Sequence, residues 1–123
     1  NLKNYEALVL DVTECNNART GNRHITSVYD FYISEDGSKK VGATKDTFTG
    51  YESNAKYYDT NTVYSNRYCR EKEIKINLKD VSNSLKYNLY IKVTHGQGDE
   101  LKNEKYYSTW LYLKNLNLKL KNT

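Results

Sequence analysis

At 123 residues the chain has the length of one domain, and its 13 tyrosines, two phenylalanines, single tryptophan and aliphatic residues suffice for one core. A mean hydropathy of −0.90 fits apolar residues sorted onto buried faces, and no stretch approaches the roughly 18 consecutive apolar residues of a membrane-spanning helix. The net charge of +4 is spread along the chain, so nucleic acid is not the expected partner, while attraction to an acidic membrane or an acidic protein stays open.

The first predicted strand lies within Tyr5 to Glu14, around the apolar run Ala7 to Leu10. After a polar loop from about Asn16 to Ile25 comes the aromatic and β-branched run Val28 to Ile33. The Asp-Gly turn Glu35-Asp36-Gly37-Ser38 then joins it to Lys39–Lys45 as a hairpin. The segment from Thr49 to Arg70 is too long for an ordinary connection and reads either as holding an edge strand or as a functional loop. Asn54 to Tyr58 is long enough for one helical turn at most.

Period-two alternation is clearest in the second half. Ile74, Ile76 and Leu78 alternate with Lys75, Asn77 and Lys79; Tyr87, Leu89, Ile91 and Val93 alternate with Asn88, Tyr90 and Lys92. A loop from His95 to Lys105 follows, with Gly96-Gln97-Gly98 read as a short turn. Tyr106 to Leu113, carrying Trp110, and the alternating Leu116, Leu118 and Leu120 read as the closing strands. Tyrosine suits this pattern, because its ring packs on a sheet while its hydroxyl reaches water. The expectation is an all-β protein, an antiparallel β-sandwich of about seven to eight strands, with residues 1–123 forming a single domain.

Catalytic chemistry finds little to use. His24 and His95 are the only near-neutral bases, both read as solvated loop residues, and Cys15 with His24 matches no nucleophile signature. No metal-ligand spacing of His and Cys occurs, so no metal or cofactor is expected and the chain reads as a non-enzyme. The triplets Lys56-Tyr57-Tyr58 and Lys105-Tyr106-Tyr107 set a cation beside stacking rings, a pairing that holds sugars or lipid headgroups; the plainer reading is tyrosines at strand edges. Cys15 and Cys69, 54 positions apart, fit one bridge in an oxidising compartment or two buried thiols in a reducing one. The chain opens on Asn1 rather than Met, as a mature product or an excised domain would, and it holds no Asn-x-Ser/Thr sequon.

In chain order the elements resemble the C2 domain family of calcium- and lipid-binding β-sandwiches. Val9-Leu10-Asp11-Val12-Thr13-Glu14-Cys15 is similar to that family's first strand. Ser27-Val28-Tyr29-Asp30-Phe31-Tyr32-Ile33 is similar to its Ser-Asp-Pro-Tyr-Val segment, with Phe31 in the proline position, and Lys39 to Lys45 is similar to its lysine-rich strand. Glu73 to Leu78, Leu85 to Val93 and Trp110 to Leu116 look like its closing strands, whereas 49–70 lacks the Asn-Pro-x-Trp element. Of the calcium ligands the resemblance implies, only Asp30 matches; Asn16, Asn17, Arg19, His24, Thr94 and His95 stand where acids are expected, so calcium-independent binding is implied.

Two functions follow as expectations. A C2-like module would dock without calcium on acidic phospholipid or on a protein partner through Lys39, Lys40 and Lys45 and the loop with Arg19, Arg23 and His24, at the cytoplasmic face of a membrane with reduced cysteines. A secreted or surface-displayed adhesin or carbohydrate-binding sandwich would instead use Tyr57, Tyr58, Tyr106, Tyr107 and Trp110, with a Cys15–Cys69 disulfide.

Overall fold

The computed structural model describes residues 2–16, 26–50, 52–59, 62–82, 86–97 and 109–121. After one 3-10 turn, Leu2–Asn4, seven strands follow among the described residues: β1 (Tyr5–Asn16), β2 (Thr26–Ser34), β3 (Lys40–Thr49), β4 (Lys56–Tyr58), β5 (Arg67–Asn77), β6 (Asn88–Gln97) and β7 (Thr109–Leu120). They form two antiparallel sheets, one in the order β4-β5-β1-β7 and the other β3-β2-β6. The expected all-β sandwich is therefore what the chain forms.

Alternation decides which side chains meet between the sheets. In β1, Leu8, Leu10 and Val12 point inward, in register with Ile76, Ile74 and Lys72 of β5. From the facing sheet come Tyr29, Phe31 and Ile33 of β2 and Phe48 of β3, with Leu78 and Val81 closing one end of the core. Burying side chains of this size contributes roughly 1.5–3 kcal/mol each, so the eleven-residue cluster is the main source of stability.

The sandwich is sealed along one flank, where β3 meets β5. Thr44 Oγ1 donates to Lys75 O at 2.6 Å, and Gly42 lies so close to β5 that a Cβ there would stand 2.3 Å from Asn77 O. Glycine at 42 is what lets the two backbones approach. No comparable approach joins β6 to β7 on the opposite flank among the described residues.

Several expectations are corrected in detail. Of the two readings of 49–70 the edge strand is the one formed, as β4, followed by the first residues of β5; the single helical turn expected within Asn54 to Tyr58 is corrected, since Lys56-Tyr57-Tyr58 is extended. His95, Gly96 and Gln97 belong to β6, because Thr26 at the start of β2 pairs with Gln97 and keeps the ladder going. The two closing strands are one, β7, kept continuous past a register shift between Asp11 and Val12 of its partner. The hairpin turn is longer than read, spanning 35–39 with Gly37 at φ 89°. Asp36 holds it: its Oδ1 accepts the backbone N–H groups of Ser38 (2.9 Å) and Lys39 (3.2 Å), which lowers its pKa to about 2.

Candidate functional site

On the outer face of the larger sheet, register lines up three rows of side chains. Lys56, Cys69, Cys15 and Trp110 form one row across all four strands. Glu71, Thr13 and Tyr112 form the next, and Glu73, Asp11 and Asn115 the third. Cys15 and Cys69, directly opposite with Cα atoms 4.1 Å apart, are joined in a disulfide. The bridge has neighbours on both sides, Lys56 on β4 and Trp110 on β7, and both cysteines are fully buried although the face is an outer one.

Aromatic rings surround this row. Tyr64, in the β4–β5 connection, packs edge-on against Tyr58 and against Tyr112, each at 5.0 Å between centroids. The guanidinium of Arg67 lies 3.7 Å above the Trp110 ring and donates to the Tyr112 hydroxyl. Lys114 donates from Nζ to Tyr64 Oη at 3.0 Å, and that bond raises the lysine pKa. What brings β4 and Tyr64 over the sheet is the turn after β4. Asn66 sits at φ 60°, a conformation asparagine tolerates, and its N–H donates to Tyr58 O at 2.7 Å.

Two adjoining shallow recesses open on this face. One, of about 370 Å³, is lined by Asp11, Thr13, Glu71, Glu73 and Lys114; the other, of about 340 Å³, by Thr13, Lys56, Tyr58, Cys69 and Glu71. Thr13 belongs to both. Its side chain is buried, and its hydroxyl makes no hydrogen bond. A buried hydroxyl without a partner is costly, and this one, closed off from solvent, is a cost carried in the groove floor rather than a contact offered to a ligand. Acceptor carboxylates, donor ammonium groups and the half-buried Tyr58 ring, with Lys56 Nζ 5.2 Å over it, suit a molecule that presents several hydroxyls and one less polar face.

The sequence-predicted residues divide as follows. Tyr58 and Trp110 come together on this face. Tyr57 points to the other side of β4, 4.8 Å from Tyr68, with its hydroxyl donating to Asn66 Oδ1. Arg19, Arg23, His24, Tyr106 and Tyr107 lie outside the described residues. Lys39, Lys40 and Lys45 are exposed, but they do not form one cationic face. Lys40 lies 4.6 Å over the Tyr32 ring, in a recess with Lys39 that Glu35, Asp36 and Asp80 also line. Lys45, roughly 17 Å further along β3 at strand rise, has Asp30 at 3.9 Å.

Sequence reasoning missed Thr13, Glu71, Lys114, Tyr64 and Arg67. Parity along β1 could have found the first, since Thr13 and Cys15 are two apart and must share a face.

A second group of charges lies between the sheets. Arg70 of β5 reaches Glu14 (3.1 Å), Asp46 (2.6 Å), Glu52 (2.5 Å) and the carbonyl of Thr47 (2.9 Å), with its guanidinium 4.8 Å from the Phe48 ring. Burial, together with the Asp46 carboxylate, pushes Glu14 up to about 8. Glu14 has no exposed surface, so this acid ties the sheets together rather than facing a substrate. Among the described residues no group of three or more His, Cys, Asp or Glu is placed to hold a metal ion, and no helix is long and apolar enough to cross a membrane.

No protein-family model, curated protein or solved structure matches this chain.

Proposed function

We propose that the chain is a non-catalytic binding module of an oxidising, extracytoplasmic compartment, and that its ligand face is the groove over Thr13, which takes carbohydrate. The observation that carries this reading is the Cys15–Cys69 disulfide at the centre of that face. Such bridges persist outside the reducing cytosol, and this one braces the two strands that form the groove floor. Around it, Tyr58 supplies a ring for stacking, Glu71, Glu73 and Asp11 accept hydroxyl protons, and Lys56 and Lys114 donate. The C2-like alternative, calcium-independent docking on acidic phospholipid, requires reduced cysteines and a cationic face. Paired cysteines and lysines interleaved with Glu35, Asp36 and Asp80 lend it less support.

Binding to a panel of immobilised glycans, run beside sedimentation with neutral and acidic vesicles, tests the proposal. Salt-insensitive binding to a subset of glycans, weakened at least tenfold by Tyr58→Ala, is the expected result. Sedimentation only with acidic vesicles, lost in high salt and after Lys39→Glu with Lys40→Glu, would favour the lipid reading instead.

A further inference from the structure

Among the described residues the sheets are unequal, four strands facing three, and the deficit falls on one flank. There β6 and β7 are both edge strands. In register with the core residues Leu10 and Leu8, Leu116 and Leu118 of β7 point toward the space between the sheets, yet they are 46% and 39% exposed. Leu113 and Leu120 are 48% and 61% exposed, and Val93, which pairs with the core residue Tyr29, is 41% exposed. These side chains occupy the positions of core residues, but among the described residues no strand covers them. One further strand, hydrogen-bonded to the free edge of β6, would equalise the sheets and lie over them.

From this geometry we infer that the β6–β7 flank is a strand-acceptor cleft, filled by an extended segment of a partner polypeptide in which apolar residues alternate with acidic ones. The apolar positions face Leu113, Leu116, Leu118 and Val93. The acidic positions follow from charge. Neither β6 nor β7 contains a carboxylate, while β6 carries Lys92 on its outward face, opposite Asp30, and β7 carries Lys119, with Lys121 just beyond. Lys119 has Glu6 at 2.9 Å, but Lys92 and Lys121 have no ion-pair partner among the described residues. A second copy of this chain pairing through β6 would set lysine-bearing edges together, so the complementary occupant is an acidic strand of a different sequence. Such strand addition takes its affinity from main-chain hydrogen bonds and its specificity from alternate side chains. The cleft lies on another flank from the groove over Thr13 and stands independently of what that groove binds.

The test uses three synthetic nine-residue probes and the intact protein: a peptide alternating Val and Glu, the same peptide with Lys for Glu, and a scrambled Val/Glu peptide. Anisotropy reads binding and amide hydrogen exchange reads its place. The Val/Glu peptide is expected to bind with a Kd below about 100 µM, at least tenfold tighter than either control, and to slow exchange along β6. Leu116→Ser with Leu118→Ser should keep the fold, since both side chains are exposed, and should weaken the peptide at least tenfold. Three outcomes overturn the proposal: no binding of the Val/Glu peptide, equal binding of the acidic and basic peptides, or protection confined to other strands. A concentration-dependent dimer that buries β6 overturns it as well, because the occupant would then be a second copy.

Discussion

Arg70 Nε donates to Glu14 Oε1 at 3.1 Å from the neighbouring strand, with both side chains closed off from solvent. Because Asp46 of β3 and Glu52 take the other guanidinium nitrogens, this one arginine links the two sheets along their sealed flank. Three carboxylates face two cations, Arg70 and Lys72, the latter 3.7 Å from Asp46, and Glu14, the most deeply buried, keeps its proton because burial disfavours its charge.

Stability should therefore fall as pH rises. With a folded pKa of about 8 against an ordinary value of 4.5, Glu14 holds its proton in the folded state where the unfolded chain has released it. Its contribution is complete below pH 4.5 and is lost as pH rises through 8, with a slope of at most about 1.4 kcal/mol per pH unit. Urea unfolding from pH 5 to 9 measures this. Glu14→Gln should flatten the curve and raise stability at pH 8, whereas Arg70→Met should cost about 3–5 kcal/mol at neutral pH by leaving the acids unpaired.

The disulfide closes a loop of 54 residues, and chain-entropy reasoning assigns such a bridge about 4 kcal/mol. Reduction, or Cys15→Ala with Cys69→Ala, should lower the melting temperature accordingly and leave the far-ultraviolet spectrum β-type at low temperature. An unchanged melting temperature would argue against the bridge.

Gly42→Ala should destabilise by about 1–3 kcal/mol. The cause is not torsional but steric, since the new methyl would meet Asn77 O at 2.3 Å where β3 touches β5. Chemical denaturation of this variant reads the tightness of the sealed flank.

Thr13→Val should act on stability and not on binding. Replacing an unpaired buried hydroxyl with a methyl leaves stability unchanged or raises it by about 1 kcal/mol, and glycan binding in the groove changes less than twofold, because the hydroxyl is closed off from any ligand. If stability drops by more than that, the hydroxyl has a structural partner.

The alternation of Ile74, Ile76 and Leu78 was enough to assign a strand and its buried face, because side chains at period two have no other way to share a core. The same rule applied to Leu116, Leu118 and Leu120 gives the right face of β7 but not its exposure, which depends on how many strands lie opposite. Whether Cys15 and Cys69 are bridged was likewise illegible. A separation of 54 fits bridge or thiols, and only the β1–β5 register sets the two side by side. For the candidate site, Tyr58 and Trp110 were visible as rings, but the residues joining them, Tyr64 and Arg67, sit in and just after a turn whose path no periodicity encodes.

The most direct test of an oxidising address and a braced ligand face is alkylation of the protein isolated from its native source, unfolded without reductant and mapped by mass spectrometry. No label on either cysteine and a single cross-linked peptide joining Cys15 to Cys69 is the predicted result. Alkyl groups on both cysteines before any reductant is added would contradict it.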